Sequence, residues 1–252
     1  MASLQSIVQW LDEVLQPSAL TDYAPNGLQV EGRPGVEHVV TGVTACQRFL
    51  DQALELGADA VLVHHGYFWK GEPAPLVGMK GRRLATLLRA EVSLLAYHLP
   101  LDVHGRLGNN VELGRVLGLP PARPASLGGL DGLGRVCELP DPAPLADFSA
   151  EVARALDRTP LVVSGGSHPV RRLMWCTGGG QDFIHEAAAA GADTYLSGEI
   201  SERTTHAARE LGVHYLCAGH HATERYGIRA LGAALSTALG VRHTHVDVDN
   251  PA

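Results

Sequence analysis

Gly57-Ala58-Asp59-Ala60-Val61-Leu62-Val63-His64-His65 and Gly191-Ala192-Asp193-Thr194-Tyr195-Leu196-Ser197-Gly198-Glu199 decide the fold of this chain. Each opens on Gly-Ala-Asp, continues through a short apolar run and ends on side chains that can bind a metal or carry a proton. Extended upstream with a constant offset and no gap, residues 44–62 lie over residues 178–196. Gln47 then meets Gln181, Phe49 meets Phe183 and Ala53 meets Ala187. Both copies read as strand, turn, helix, Gly-Ala-Asp, strand. Shared packing rules make any two βαβ units look alike, but the same tripeptide after helices of equal length favours an internal duplication.

Outward from these segments, short apolar runs alternate with helix-like stretches. Leu4, Ile7, Val8, Leu11, Val14 and Leu15 share one helical face, and Ser3 can cap that helix. Strands are expected over residues 39–43, 60–63, 92–97, 136–139, 161–163, 173–176, 194–196, 213–217 and 244–248. Helices are expected over 47–56, 82–90, 148–156, 182–190, 202–211 and 228–239. This alternation predicts an α/β fold: two similar α/β/α layered lobes, with a metal cleft between them. The Pro- and Gly-rich stretch 120–134 is the expected boundary. It divides the chain into a first lobe over 1–125 and a second over 126–252, with the C-terminal helix and strand packing back on the first.

The chain has 252 residues, 45% hydrophobic and 19% charged, with a formal charge of −7. That composition excludes global disorder. No apolar run approaches the roughly 20 residues needed to cross a bilayer, and the first residues lack a secretory pattern. Cys46, Cys137, Cys176 and Cys217 form no CxxC pair and sit in or beside strand-like segments, as expected of reduced thiols in a cytoplasmic protein. Net acidity argues against a general nucleic-acid binder. The 13 histidines are the anomaly.

Those histidines cluster at strand ends, where open α/β sheets place their ligands. The first Gly-Ala-Asp strand ends at His64-His65, the second at Gly198-Glu199. The strands after them lead to His98-x-x-x-Asp102 and to His220-His221-x-x-Glu224. His64 and His65 are neighbours on a strand and suit two adjacent ions better than one. If a helix starts near this stretch, His220 and Glu224 stand at i and i+4 and share a face, and His221, at i, i+3 to Glu224, would also reach. Imidazoles and carboxylates without thiolate suit Zn, Mn, Fe, Co or Ni. Three imidazoles (His64, His65 and one of His220 and His221) and two carboxylates (Asp102 and Glu224) exceed the needs of one open site and fit two ions about 3.5–4 Å apart, whose natural chemistry is hydrolysis.

Taken together, Asp22-Tyr-Ala-Pro-Asn-Gly-Leu-Gln-Val-Glu-Gly32, His64-His-Gly-Tyr-Phe-Trp-Lys-Gly71, His98-Leu-Pro-Leu-Asp102 and Gly219-His-His-Ala-Thr-Glu224 resemble the Nif-three-like dinuclear metal family, also known as GTP cyclohydrolase I type 2, in its short bacterial form. The resemblance covers nearly the whole chain. It implies two divalent ions per subunit on His64, His65, Asp102, His220 and Glu224, with Glu224 bridging and His98 supporting the ligands from beside the ions or serving as a further ligand. It also implies a toroidal homohexamer built as a trimer of dimers. The activity it implies is hydrolytic opening of the guanine ring of GTP. Glu199 and His206 are the candidate proton shuttles for such a step. Lys70, Lys80, Arg82, Arg83, Arg203 and Arg225 are the candidate triphosphate contacts, and Gly178-Gly179-Gly180 is a weak phosphate cradle beside a commoner role as turn glycines. Two functions are therefore expected: a metal-dependent hydrolase of a nucleotide or other heterocyclic small molecule, or a non-enzymatic metal-binding ring serving as carrier or scaffold for another protein or DNA.

Overall fold

The computed structural model describes residues 1–252, which divide into two compact units. One comprises Met1–Leu101 with Ile228–Asp249, the other Asp102–Gly227 with Asn250–Ala252. No helix is long and apolar enough to cross a membrane.

The first unit is built on a five-stranded sheet in the order Arg242–His245, His38–Thr44, Ala60–His65, Ser93–Ala96, Gly27–Val30. All neighbours are parallel except the last pair. Helices Gln47–Glu55 and Gly78–Ala90 make the crossovers. Alternation along the strands sends Val40, Val61, Val63, Leu94 and Ala96 to one face, where they bury Phe49, Leu50, Ala53, Leu84 and Leu87. Full burial of a side chain such as Phe49 contributes about 1.5–3 kcal/mol. Gly42 is required there, because a Cβ would stand 2.4 Å from the Phe49 ring. The opposite face carries the last part of helix His220–Leu239, whose Gly232 passes so close that a Cβ would lie 2.6 Å from the Thr41 methyl. Ahead of the sheet, helix Leu4–Leu15 starts where the Ser3 hydroxyl accepts from the Ser6 amide at 3.0 Å, and it buries Leu4, Ile7, Leu11 and Leu15.

The second unit holds a six-stranded sheet in the order Arg123–Leu127, Leu130–Ala143, Val170–Cys176, Thr194–Ser197, His214–Cys217, Leu161–Val163. Its three central parallel strands are joined through helices Ile184–Ala189 and Glu202–Leu211. Helices Asn109–Val116 and Leu145–Leu156 place Leu113, Phe148, Val152 and Leu156 against Leu173, Trp175, Leu196 and Leu216. The α/β class is as expected.

Several boundaries are not. The expected break at 120–134 lies inside the second unit, and the chain divides at Leu101/Asp102 and again at Gly227/Ile228. Gly128 and Gly129 both have positive φ, +57° and +76°, and turn Arg123–Leu127 back onto Leu130–Ala143 as a hairpin. Consecutive left-handed residues are the geometry of a two-residue hairpin turn, so these glycines fold the chain rather than link lobes. The strand expected at 136–139 is consequently the long Leu130–Ala143, and the helix expected at 228 begins at His220.

Candidate metal centre

In the first unit the parallel strand Ala60–His65 carries both histidines to its very end. His64 is fully buried, and its Nδ1 donates to the Tyr97 carbonyl at 2.9 Å. A carbonyl can only accept, so the neutral ring presents Nε2 as its lone-pair nitrogen. The His65 Nδ1 lies 3.1 Å from the Thr44 hydroxyl of the adjacent strand. His98 follows strand Ser93–Ala96, and its Nδ1 meets Asp22 Oδ1 at 2.9 Å. Asp22 is itself fixed, accepting from the amides of Ala24 and Leu99 and from Asn26 Nδ2. Asn26 Oδ1 completes the loop by accepting from the His98 amide at 2.7 Å. Burial would raise the Asp22 pKa, but His98 and Asn26 outweigh it and bring the carboxyl down to about 2.

The rings of His64 and His65 are 4.5 Å apart, those of His64 and His98 5.1 Å, and one nitrogen from each of the three lies within 4.8 Å of the others. Strand neighbours normally point to opposite faces, yet these two converge because the sheet ends at His65 and Gly66 follows. Trp69 and Tyr23 frame the group, with ring centres 5.0 and 4.9 Å from His98. Phe68, at φ +65°, has the Lys80 ammonium 4.8 Å above its ring.

The second unit gathers oxygen donors. Asp102, in the short helix Leu99–Val103, is 5% exposed, and its Oδ1 accepts from Asn109 Nδ2 at 2.8 Å and from the Thr177 hydroxyl at 3.4 Å. Glu224 is 3% exposed, and one of its carboxylate oxygens lies within 4.8 Å of one from Asp102. His220 opens the long helix with Nε2 3.2 Å from Glu224 Oε2, while its Nδ1 meets Glu199 Oε1 at 2.7 Å. Burial would lower the His220 pKa, but Glu224 and then Glu199 raise it to about 9. His221 is buried. His206 is exposed on helix Glu202–Leu211 and belongs to none of these donor groups.

The donor chemistry fits divalent cations. Two buried carboxylates held close together repel unless a cation or proton lies with them. Histidines whose Nδ1 is tied to a carbonyl or carboxylate present Nε2 in a fixed direction, the usual outer support of a metal-binding imidazole. Gly178 makes the geometry possible: a Cβ there would stand 2.0 Å from Glu224 Oε1 and 3.1 Å from His220 Nε2. Its role is room for these side chains, and Gly180 similarly packs against Cys176 and Ser197.

The sequence assigned no individual role to Asp22, Asn26, Asn109 or Thr177, and it read Gly178 only as a turn or phosphate-cradle glycine. Asp22 and Asn26 entered only as part of the family-like stretch 22–32, and nothing nearby marks Asn109 or Thr177. Three candidate phosphate contacts have other employment: Lys80 pairs with Glu72, Arg203 grips Asp182 through two bonds, and Arg225 turns to the Leu156 carbonyl. All four cysteines are free thiols, and burial pushes Cys137 up to about 11 and Cys176 well above its usual value, so neither ionises readily.

Comparison with known proteins points the same way. The model of the family Duf34/NIF3 (NGG1p interacting factor 3) matches residues 2–251. A protein of Pseudomonas aeruginosa named "GTP cyclohydrolase 1 type 2 homolog" is 52% identical over 250 residues, covering 99% of both chains. A protein of Escherichia coli K12 with the same name is 49% identical, covering 97% of each. Among solved structures, one described as protein ybgI, of unknown function, is 47% identical with a TM-score of 0.94, and one from Thermus thermophilus is 34% identical with a TM-score of 0.90. Each is covered over its whole length, as is this chain.

Proposed function

The chain belongs to the Duf34/NIF3 family, and from that premise we propose that it is a dinuclear metal protein that hydrolyses a nucleotide or other heterocyclic small molecule. The five ligands of this reading are His64, His65, Asp102, His220 and Glu224, sharing two divalent ions of the Zn, Mn, Fe, Co or Ni type. The observation that carries it is the presence of imidazoles locked through Nδ1 together with two buried, closely spaced carboxylates. Curated relatives bear the name GTP cyclohydrolase 1 type 2 homolog, which makes GTP the first substrate to try.

Bound ions of this kind supply Lewis acidity and make water nucleophilic near neutral pH. The chain's own residues set up the rest. Asp22 holds the proton on His98 Nδ1, so His98 Nε2 is the basic nitrogen available to take a proton from a reacting group. Glu199 does the same for His220, orienting the ring through Nδ1 and acting as a positioning residue. Trp69 and Tyr23, packed on each other and on His98, offer aromatic faces to a flat heterocycle. The assembly in this reading is a homohexamer arranged as a trimer of dimers, which light scattering of the eluted protein tests directly.

The deciding experiment is turnover by protein stripped of metal and reloaded with Zn or Mn, assayed against GTP and a panel of phosphoesters and cyclic amides. Metal-dependent hydrolysis lost in Asp102→Ala and Glu224→Ala is expected. Tight metal binding with no turnover on any panel member would replace the hydrolase by a metal carrier or scaffold.

A further inference from the structure

The face of the six-stranded sheet under helix Asn109–Val116 encloses a cavity of about 310 Å³ whose lining includes none of the metal donors. Val111, Leu119, Pro120 and Trp175 supply its apolar walls, and Arg115 and Arg135 its charge. Arg135 stands opposite Trp175 in the antiparallel pairing of Leu130–Ala143 with Val170–Cys176, so the two side chains share a face. Arg135 is only 7% exposed, yet its guanidinium makes no hydrogen bond or ion pair, and its Nε is enclosed without a partner. Burial alone acts on it, lowering its pKa, with no carboxylate near enough to oppose that.

A guanidinium stays charged in proteins, and a buried charge without a counter-ion is costly. Arg115 is different: it is paired with Glu112 and donates to the Arg106 carbonyl. One positive charge is therefore left over, facing an apolar hollow. An inorganic ion would neutralise Arg135 but leave the apolar walls uncovered. A ligand with one negative group and a compact apolar body satisfies both.

We propose that this cavity binds a small organic monoanion, a carboxylate with a compact apolar or aromatic body, whose carboxylate lies on the Arg135 guanidinium and whose body lies between Trp175 and Leu119. The site does not depend on the hydrolase reading, and metal content serves as its independent control.

Calorimetric titration of the full chain with benzoate tests it, with benzyl alcohol and inorganic phosphate as comparators. Benzoate is expected to saturate one site per chain, at least tenfold tighter than either comparator. Arg135→Met should weaken benzoate at least tenfold while leaving metal content unchanged. Without ligand, that variant should melt no lower than the parent, because it removes an uncompensated buried charge. Gly105→Phe, at a lining position where a Cβ meets nothing within 4 Å, keeps Arg135 and should also weaken benzoate by obstructing the cavity. Absence of saturation, equal affinity in Arg135→Met, phosphate binding as tightly as benzoate, or a lower melting temperature for ligand-free Arg135→Met would each overturn the proposal. If Arg135→Met does not fold, Arg135 is structural and the proposal fails on that ground, with Gly105→Phe as the second check.

Discussion

The two Gly-Ala-Asp segments perform the same structural task and then part company in chemistry. In the first, Asp59 accepts from the amides of Glu37 and His38, and its own amide donates to the His38 carbonyl. In the second, Asp193 accepts from the amides of Arg171 and Arg172, and its amide donates to the Arg172 carbonyl. Both aspartates pin the start of the preceding strand beside the start of their own. Gly57 and Gly191 end the helices at φ +70° and +79°. Each frame also closes alike, with three consecutive parallel strands and an antiparallel edge strand beside the last. Beyond the frame the endings differ: three imidazoles and one carboxylate (His64, His65, His98 and Asp102) past the strands of the first, and two carboxylates with His220 (Glu199 and Glu224) past those of the second. A scaffold fixed by buried backbone contacts leaves the residues just past each strand free to differ.

The largest test of this division is removal of a donor from either ending. His65→Ala and Glu224→Ala should each weaken binding of at least one ion by more than the about 10–100-fold typical of an outer partner, as measured by metal content after dialysis against a chelator. Full metal content in Glu224→Ala would mean that the imidazole ending suffices alone. Next come the two aspartates. Asp59→Ala and Asp193→Ala should each destabilise the fold by about 2–4 kcal/mol, since both leave a pair of strand-start amides without a charged acceptor. Urea unfolding of the two variants should agree within about 1 kcal/mol, and a larger gap would show that the frames are not equivalent.

The outer carboxylates come third. Asp22→Asn and Glu199→Gln should lower metal affinity about 10–100-fold without changing the ligand set, and metal titration of the stripped protein would report it. Proton linkage singles out the second ending. The His220 pKa is raised from 6.5 to about 9, so in metal-free protein this charge stabilises the fold fully below pH 6.5 and ceases to as pH rises through about 9. A metal must displace that proton, so affinity should climb with pH up to about 9, with proton release visible in buffers of different ionisation heat. Glu199→Gln should reduce the release at about pH 8. The smallest effect is expected at the helix ends, where Gly57→Ala and Gly191→Ala should each cost about 1 kcal/mol. Neither new Cβ would meet an atom within 4 Å, so a thermal melt would report the backbone conformation alone.

The repeated frame was legible because its signals are local. A short apolar run, a helix-ending glycine and an aspartate beside it mark a crossover however the rest of the chain folds. The N-terminal helix was equally plain from its apolar positions on one face and a serine ahead of them. The hairpin at Gly128-Gly129 was missed because glycine marks both turns and linkers, and only the pairing of Arg123–Leu127 with Leu130–Ala143 distinguishes them. Among the site residues, His64, His65, Asp102, His220 and Glu224 stood out by type and spacing. Asp22, Asn109 and Thr177 did not, because their partners stand 76, 7 and 75 positions away in the sequence, where no local pattern names them.

Sequence by itself determined the α/β class, the equivalence of the two Gly-Ala-Asp segments and the inventory of metal-binding side chains, since each follows from periodicity or residue chemistry within a few positions. Tertiary structure alone decided which nitrogen of each histidine is tied up, that Gly178 must lack a side chain to admit Glu224, and that Arg135 is buried without an acid. Those facts depend on distances between segments far apart in the chain, and packing sets such distances.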